Sequence, residues 1–153
     1  MKKISLLLFA IVLTLVLTGC EQKVTTATCT IKQNNALNTF KFSATNDEID
    51  KVDLTMVIDN SAFGVDSLST LSDKQKELVK TNMMRTLGLR EEKKYKGFEF
   101  NVEIKDEMTI TINADLKTAD PVALKRVGMD FTGADMSLKK AIKDLEASGA
   151  TCK

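Results

Sequence analysis

Phe98-Glu99-Phe100-Asn101-Val102-Glu103-Ile104, then Met108-Thr109-Ile110-Thr111-Ile112-Asn113-Ala114-Asp115-Leu116, is the stretch that decides the architecture. Apolar and polar residues alternate through both halves, the period of a strand with one buried face. Residues that pair across two strands must share a face. That requires an odd loop, most simply Lys105-Asp106-Glu107, with Ile104 opposite Met108. A sheet with one greasy and one polar side is antiparallel and covered on one side only.

The same alternation recurs upstream. Residues 28–33 place Cys29 and Ile31 on one side and Thr28, Thr30 and Lys32 on the other. Asn34-Asn35 follows, and Asn tolerates the positive φ of a tight hairpin turn. Phe40, Phe42 and Ala44 then point inward. A two-residue turn sets Cys29 opposite Phe40 and Ile31 opposite Asn38; a four-residue loop also keeps the faces consistent. After a polar turn at 46–50, Val52, Leu54, Met56 and Ile58 mark a third strand, with Asp53 and Thr55 outward.

Helices are signalled by their ends. Ser72-Asp73-Lys74-Gln75 is a capping box. It opens a helix to about Leu87 with Leu78, Val79, Met83 and Leu87 as its apolar stripe, stopped by Gly88. Asp120-Pro121 starts a short helix that ends near Gly128. Ser137 caps a last one with Leu138, Ala141, Ile142 and Leu145 inward, ended by Gly149. Between the third strand and the first helix, residues 60–71 form the longest candidate loop, and long loops in compact domains often carry function. The expectation is an α+β fold: an antiparallel sheet of about five strands with two or three helices packed on one face.

The front of the chain is of a different kind. Lys2 and Lys3 precede an apolar run over residues 4–17, which is 14 residues long. A spanning helix needs about 20. A charged start, a short greasy core and a small-residue exit mark a secretory signal. The exit, Leu17-Thr18-Gly19-Cys20, resembles the lipobox of bacterial lipoproteins, in which the cysteine is acylated. The alternatives are a plain secreted protein and an uncleaved signal anchor. The lipobox reading divides the chain into a signal peptide at 1–19, a lipidated tether at 20–28 and a single α+β domain at 29–153. Two acyl chains on Cys20 hold a protein stably at a membrane, where one holds it only marginally.

Three cysteines follow the leader: Cys20, Cys29 and Cys152. With Cys20 acylated, two thiols remain in an exported domain, and a Cys29–Cys152 disulfide is their expected fate. The rival is a redox or metal site, against which stand the lack of a Cys-x-x-Cys and of any histidine. The whole chain carries 22 Lys plus Arg against 21 Asp plus Glu. Loss of Lys2 and Lys3 leaves the mature domain near −1, with no nucleic-acid footprint.

Leader, box, length, the Thr-Cys-Thr at 28–30, the late Cys152 and the β-rich middle together resemble the YehR-like family of small bacterial lipoproteins. That family is of unknown function. The resemblance implies a fold and a location outside the cytoplasm at the cell membrane, and no activity or site residues.

Chemistry is sparse. Without histidine the commonest general base and metal ligand is missing, and no nucleophile motif stands out. No catalytic residue, metal ligand or cofactor is assigned. A calcium-loop candidate begins at Asp59, but Phe63 occupies a ligand slot and Thr70 stands where a bidentate Glu belongs. The expectation there is a surface loop with Phe63 packed down. Asp47, Glu48, Asp50 and Asp53 cluster about a turn and read as a solvated turn in preference to a cation site. The connector 90–96, with Glu91, Glu92, Lys93, Lys94 and Tyr95, nearly cancels its own charge. Glu99 and Glu103 share a strand face about 13 Å apart, too far for either usual glycosidase geometry. Met56, Met83 and Met108 fall on expected core faces. The reading favours a non-enzymatic envelope binding or accessory module with a protein, peptide or small-ligand partner, over a carboxylate-based envelope enzyme or a purely structural envelope component.

Overall fold

A computed structural model describes residues 23–64, 66–90, 95–129 and 136–153. Cys20, residues 91–94 of the charged connector and residues 130–135 between Met129 and Met136 lie outside the described residues.

Three long strands open the domain: β1 (Val24–Gln33), β2 (Ala36–Thr45) and β3 (Glu48–Ile58). Cys29 pairs with Phe40 and Ile31 with Asn38. That is the register of a two-residue turn, with Asn34 at φ 51°. β1 starts inside the stretch read as tether, because β2 runs on to Thr45 and its edge pairs with Val24. The length between Cys20 and the sheet is therefore shorter than the 20–28 reading.

Residues 60–71 are not a structureless loop. Two short 3-10 turns, Asn60–Phe63 and Leu68–Thr70, divide them, and Leu68 is buried. Phe63 is 40% exposed, so it is not packed down as expected.

Helix α1 (Asp73–Thr86) begins with both bonds of the capping box, Gln75 N to Ser72 Oγ and Ser72 N to Gln75 Oε1. Its inward face differs from the expected stripe by a rotation. Met84 is buried, with Val79, Met83 and Leu87 beside it, while Leu78 is 60% exposed. Adjacent residues on a helix point 100° apart, so Leu78 and Val79 compete for one stripe and packing chooses between them.

Strands β4 (Phe98–Ile104) and β5 (Met108–Asp115) form the hairpin with Ile104 opposite Met108. Helices α2 (Pro121–Arg126) and α3 (Leu138–Ala147) follow, then a two-residue strand β6 (Thr151–Cys152). The sheet has six strands, all antiparallel, in the order β4-β5-β3-β2-β1-β6. The added strand over the expected five is β6, too short for any period to announce it.

Pairing aligns residues in rows across the sheet. On the inner face one row is Ala27, Phe42, Val52, Ala114 and Phe98. Met84, Ala123, Leu124 and Leu138 bring all three helices into the same core. On the outer face a row of Thr30, Thr39, Thr55, Thr111 and Asn101 crosses β1 to β4. β-branched polar side chains suit a half-exposed pleated surface.

Candidate functional site

Cys29 and Cys152 are joined in a disulfide that ties β6 to β1, 123 residues apart. Cys29 has no exposed surface. Thr28 and Lys153 add two backbone bonds at 2.8 and 3.0 Å.

The acidic cluster at 47–53 is not a solvated turn throughout. Asp47 Oδ2 accepts from Ser137 Oγ at 2.8 Å, Asp47 Oδ1 accepts from Lys139 N at 3.1 Å, and its carbonyl accepts from Leu138 N at 2.7 Å. Those amides are orphan donors at the start of α3, so Asp47 and Ser137 cap that helix jointly. The Ser137 hydroxyl holds Asp47 below the ordinary carboxylate value. Asp50 is largely buried and bonds Lys117 and Thr45, which lower its pKa in that order. Asp53 lies opposite Lys41 and Asn113 on the outer face. The four carboxylates point to different tasks and do not converge.

The other sequence candidates are equally dispersed. Asp59 Oδ1 accepts from Ser61 N at 2.8 Å, a local turn contact. Glu103 pairs with Lys105 at 2.7 Å on the exposed surface, and Glu99 is exposed on the same strand. Met108 is fully buried and Met56 and Met83 pack against the core. Among the described residues no group of three His, Cys, Asp or Glu side chains is placed to hold a metal ion. No helix among them is long and apolar enough to cross a membrane.

One site went unnoticed in the sequence. α1 ends at Gly88, whose φ of 64° turns the chain so that Leu89 is buried. The turn opens a cavity of about 550 Å³. Its floor is Met84 and Leu89, its side Thr81, and its rim Arg85, Arg90 and Arg126. Arg85 comes from the last turn of α1, Arg90 from the segment after it, and Arg126 from the end of α2. Arg126 Nη1 donates to the Gly88 carbonyl, closing the end of α1. Arg90 N donates to Tyr95 Oη at 3.1 Å, which fixes the backbone at the rim. No acidic residue lines the cavity among the described residues, and none of the three guanidinium groups is ion-paired among them.

The architecture has solved counterparts. The fold is that of the Escherichia coli YehR protein. Its NMR structure superposes with a TM-score of 0.64 over 86% of this chain and 92% of that one, at 12% identity. The NMR structure of a protein from Streptococcus pneumoniae TIGR4 gives 0.56 at 16% identity, covering 87% of each chain. At these identities the likeness is one of fold. No protein-family model and no curated protein matches the chain.

Proposed function

We propose that this protein is a lipid-anchored envelope lipoprotein, held by an acylated Cys20, whose domain is a non-enzymatic binding module working close to the membrane. The observation that carries this reading is the start of β1 at Val24. Four Cα steps separate Cys20 from the sheet, a reach of at most about 14 Å. An anchor at Cys20 leaves the domain no stalk, so the end of the sheet that bears Val24 would face the bilayer. The turn at Asn46 and Asp47 is at that end, tied to Lys23 by the Asn46 N to Lys23 carbonyl bond at 3.0 Å. The signal-like leader and the lipobox support the anchor, and the open arginine cleft supports the binding role.

Metabolic labelling with an alkyne palmitate in a bacterial host tests the anchor. Label on the wild type, lost together with membrane association in Cys20→Ser, is the expected result. An unlabelled wild type, or equal labelling of Cys20→Ser, overturns it. A photo-crosslinking residue at position 90, compared with one at 143 on α3, tests the module. A discrete adduct at 90 alone is expected. Identical patterns at the two positions reject a binding role for the cleft.

A further inference from the structure

The 22 cationic residues of the chain comprise nineteen lysines and only three arginines. All three arginines line the same cavity. They arrive from separate segments, so helix periodicity does not account for the gathering. Capping accounts for part of it. Cations near a helix C-terminus are favourable, and Arg126 bonds the Gly88 carbonyl. Lysine would serve a dipole as well, and one bond uses one of the five donors on a guanidinium. What arginine adds is a planar fork matched to oxyanions.

From this we infer that the Arg85–Arg90–Arg126 cleft binds a phosphomonoester. A carboxylate has two oxygens, and one arginine fork satisfies both. Three forks from three directions suit a dianion with three terminal oxygens. The cavity is also larger than a phosphate and lies in the range of small-molecule sites. Met84 and Leu89 give the body of the ester an apolar floor, and a thioether makes favourable contacts with an aromatic ring. Thr81 offers a hydroxyl at the side.

Topology sets where the cleft lies. α1 departs from the 60–71 segment, at the end of the sheet where β3 finishes, and the chain after it re-enters at Phe98. Phe98 is in one row with Ala27 and Ala114, at the Val24 end. Arg90 is fixed to Tyr95 just ahead of it. The inference deepens the binding-module reading and rests on it for the nearness of a membrane. A phosphomonoester can then come from a soluble metabolite or from a lipid headgroup.

The test is calorimetry on the full-length protein extracted in nonionic detergent, with phenyl phosphate, inorganic phosphate and benzoate as probes. Saturable binding of phenyl phosphate, tighter than phosphate and much tighter than benzoate, is expected. Arg85→Gln and Arg90→Gln should each weaken it about tenfold or more, since bonds to charged groups are worth that much. Arg85→Lys and Arg90→Lys should restore it only in part. Lys143→Gln, an equal charge change on α3, should leave it within about twofold. Displacement of phenyl phosphate by phosphatidic acid added to the micelles, and not by phosphatidylcholine, assigns the ester to the membrane; no displacement assigns it to a soluble compound. Either result keeps the proposal. Absence of saturable binding by the folded protein, or equal losses in Lys143→Gln, overturns it. Failed palmitate labelling with intact phenyl phosphate binding removes the anchor and leaves the site; the reverse pattern removes the site and leaves the anchor.

Discussion

Asp47 and Ser137 are 90 residues apart and share a hydrogen bond of 2.8 Å. The turn between β2 and β3 thereby becomes part of the N-terminus of α3. Ile49 N donates to the Met136 carbonyl at 2.9 Å and reinforces the junction. Ser137→Ala should destabilise the domain by about 1 kcal/mol, the usual value of such a cap. Asp47→Ala should also lower Tm, because it removes a carboxylate from the positive end of a helix. The double variant should lose less than the sum of the singles. Denaturant melts of the four proteins measure that coupling, and strict additivity would contradict joint capping.

Acid should unfold this protein through a few named aspartates. Asp47, Asp50 and Asp59 lie below the ordinary value of 3.8, held by Ser137, by Lys117 with Thr45, and by Ser61 respectively. A carboxylate depressed in the folded state contributes stability that is complete above its unfolded pKa. That contribution is lost as pH falls through the lower folded value. Tm should therefore hold down to about pH 4 and drop beneath it. Asp47→Asn with Asp50→Asn should start lower and show a shallower acid limb. A limb of unchanged steepness would mean that other groups drive it. Lys117 is raised by Asp50, so its share is present below 10.5 and fades as pH rises above that.

The Cys29–Cys152 disulfide closes a loop of 123 residues in sequence separation. Chain entropy sets about 5 kcal/mol as the most such a bridge contributes. Replacing both cysteines by alanine should lower stability by a few kcal/mol. It should also release the β6 pairing, since two residues make few bonds of their own. Amide exchange at Thr151, Cys152 and Lys153 is the direct readout, with faster exchange expected there before elsewhere.

Asn38 is 7% exposed on the inner face of β2, and its Oδ1 has no hydrogen-bond partner among the described residues. It sits between Ile31 and Met56 in its row. An unsatisfied buried acceptor costs about 1–3 kcal/mol. Asn38→Leu should therefore raise Tm, an unusual outcome for a core substitution. A fall in Tm would show that the Asn38 amide makes a contact worth more than the burial gained.

Gly97 has φ 61°, and a Cβ there would come within 2.6 Å of the backbone N of Ala119. Backbone cannot swing aside as a side chain can. Gly149 has φ 93° but open space around it. Gly149→Ala should cost about 1–2 kcal/mol from its dihedral alone. Gly97→Ala should cost clearly more and disturb the segment that leads from β5 into α2. Equal losses in thermal melts would remove the steric argument.

The sequence by itself determined whatever a few neighbouring residues encode. Period-two alternation carried the strands and the 104–108 register, and the caps at Ser72, Asp120 and Ser137 marked three helix starts. Each of these is settled by side chains within one or two turns of chain, so local physics suffices. Only the tertiary structure decided the rest. β5 pairs with β3 and leaves β4 at the edge, because several strand orders satisfy the same pattern. α1 turned Met84 inward and Leu78 out, because the rotation of a helix depends on what it packs against. β6 exists because β1 and a disulfide hold two residues that have no period. Asp47 reached Ser137, and three arginines met beside Gly88, through contacts across 36 to 90 residues that no local spacing records.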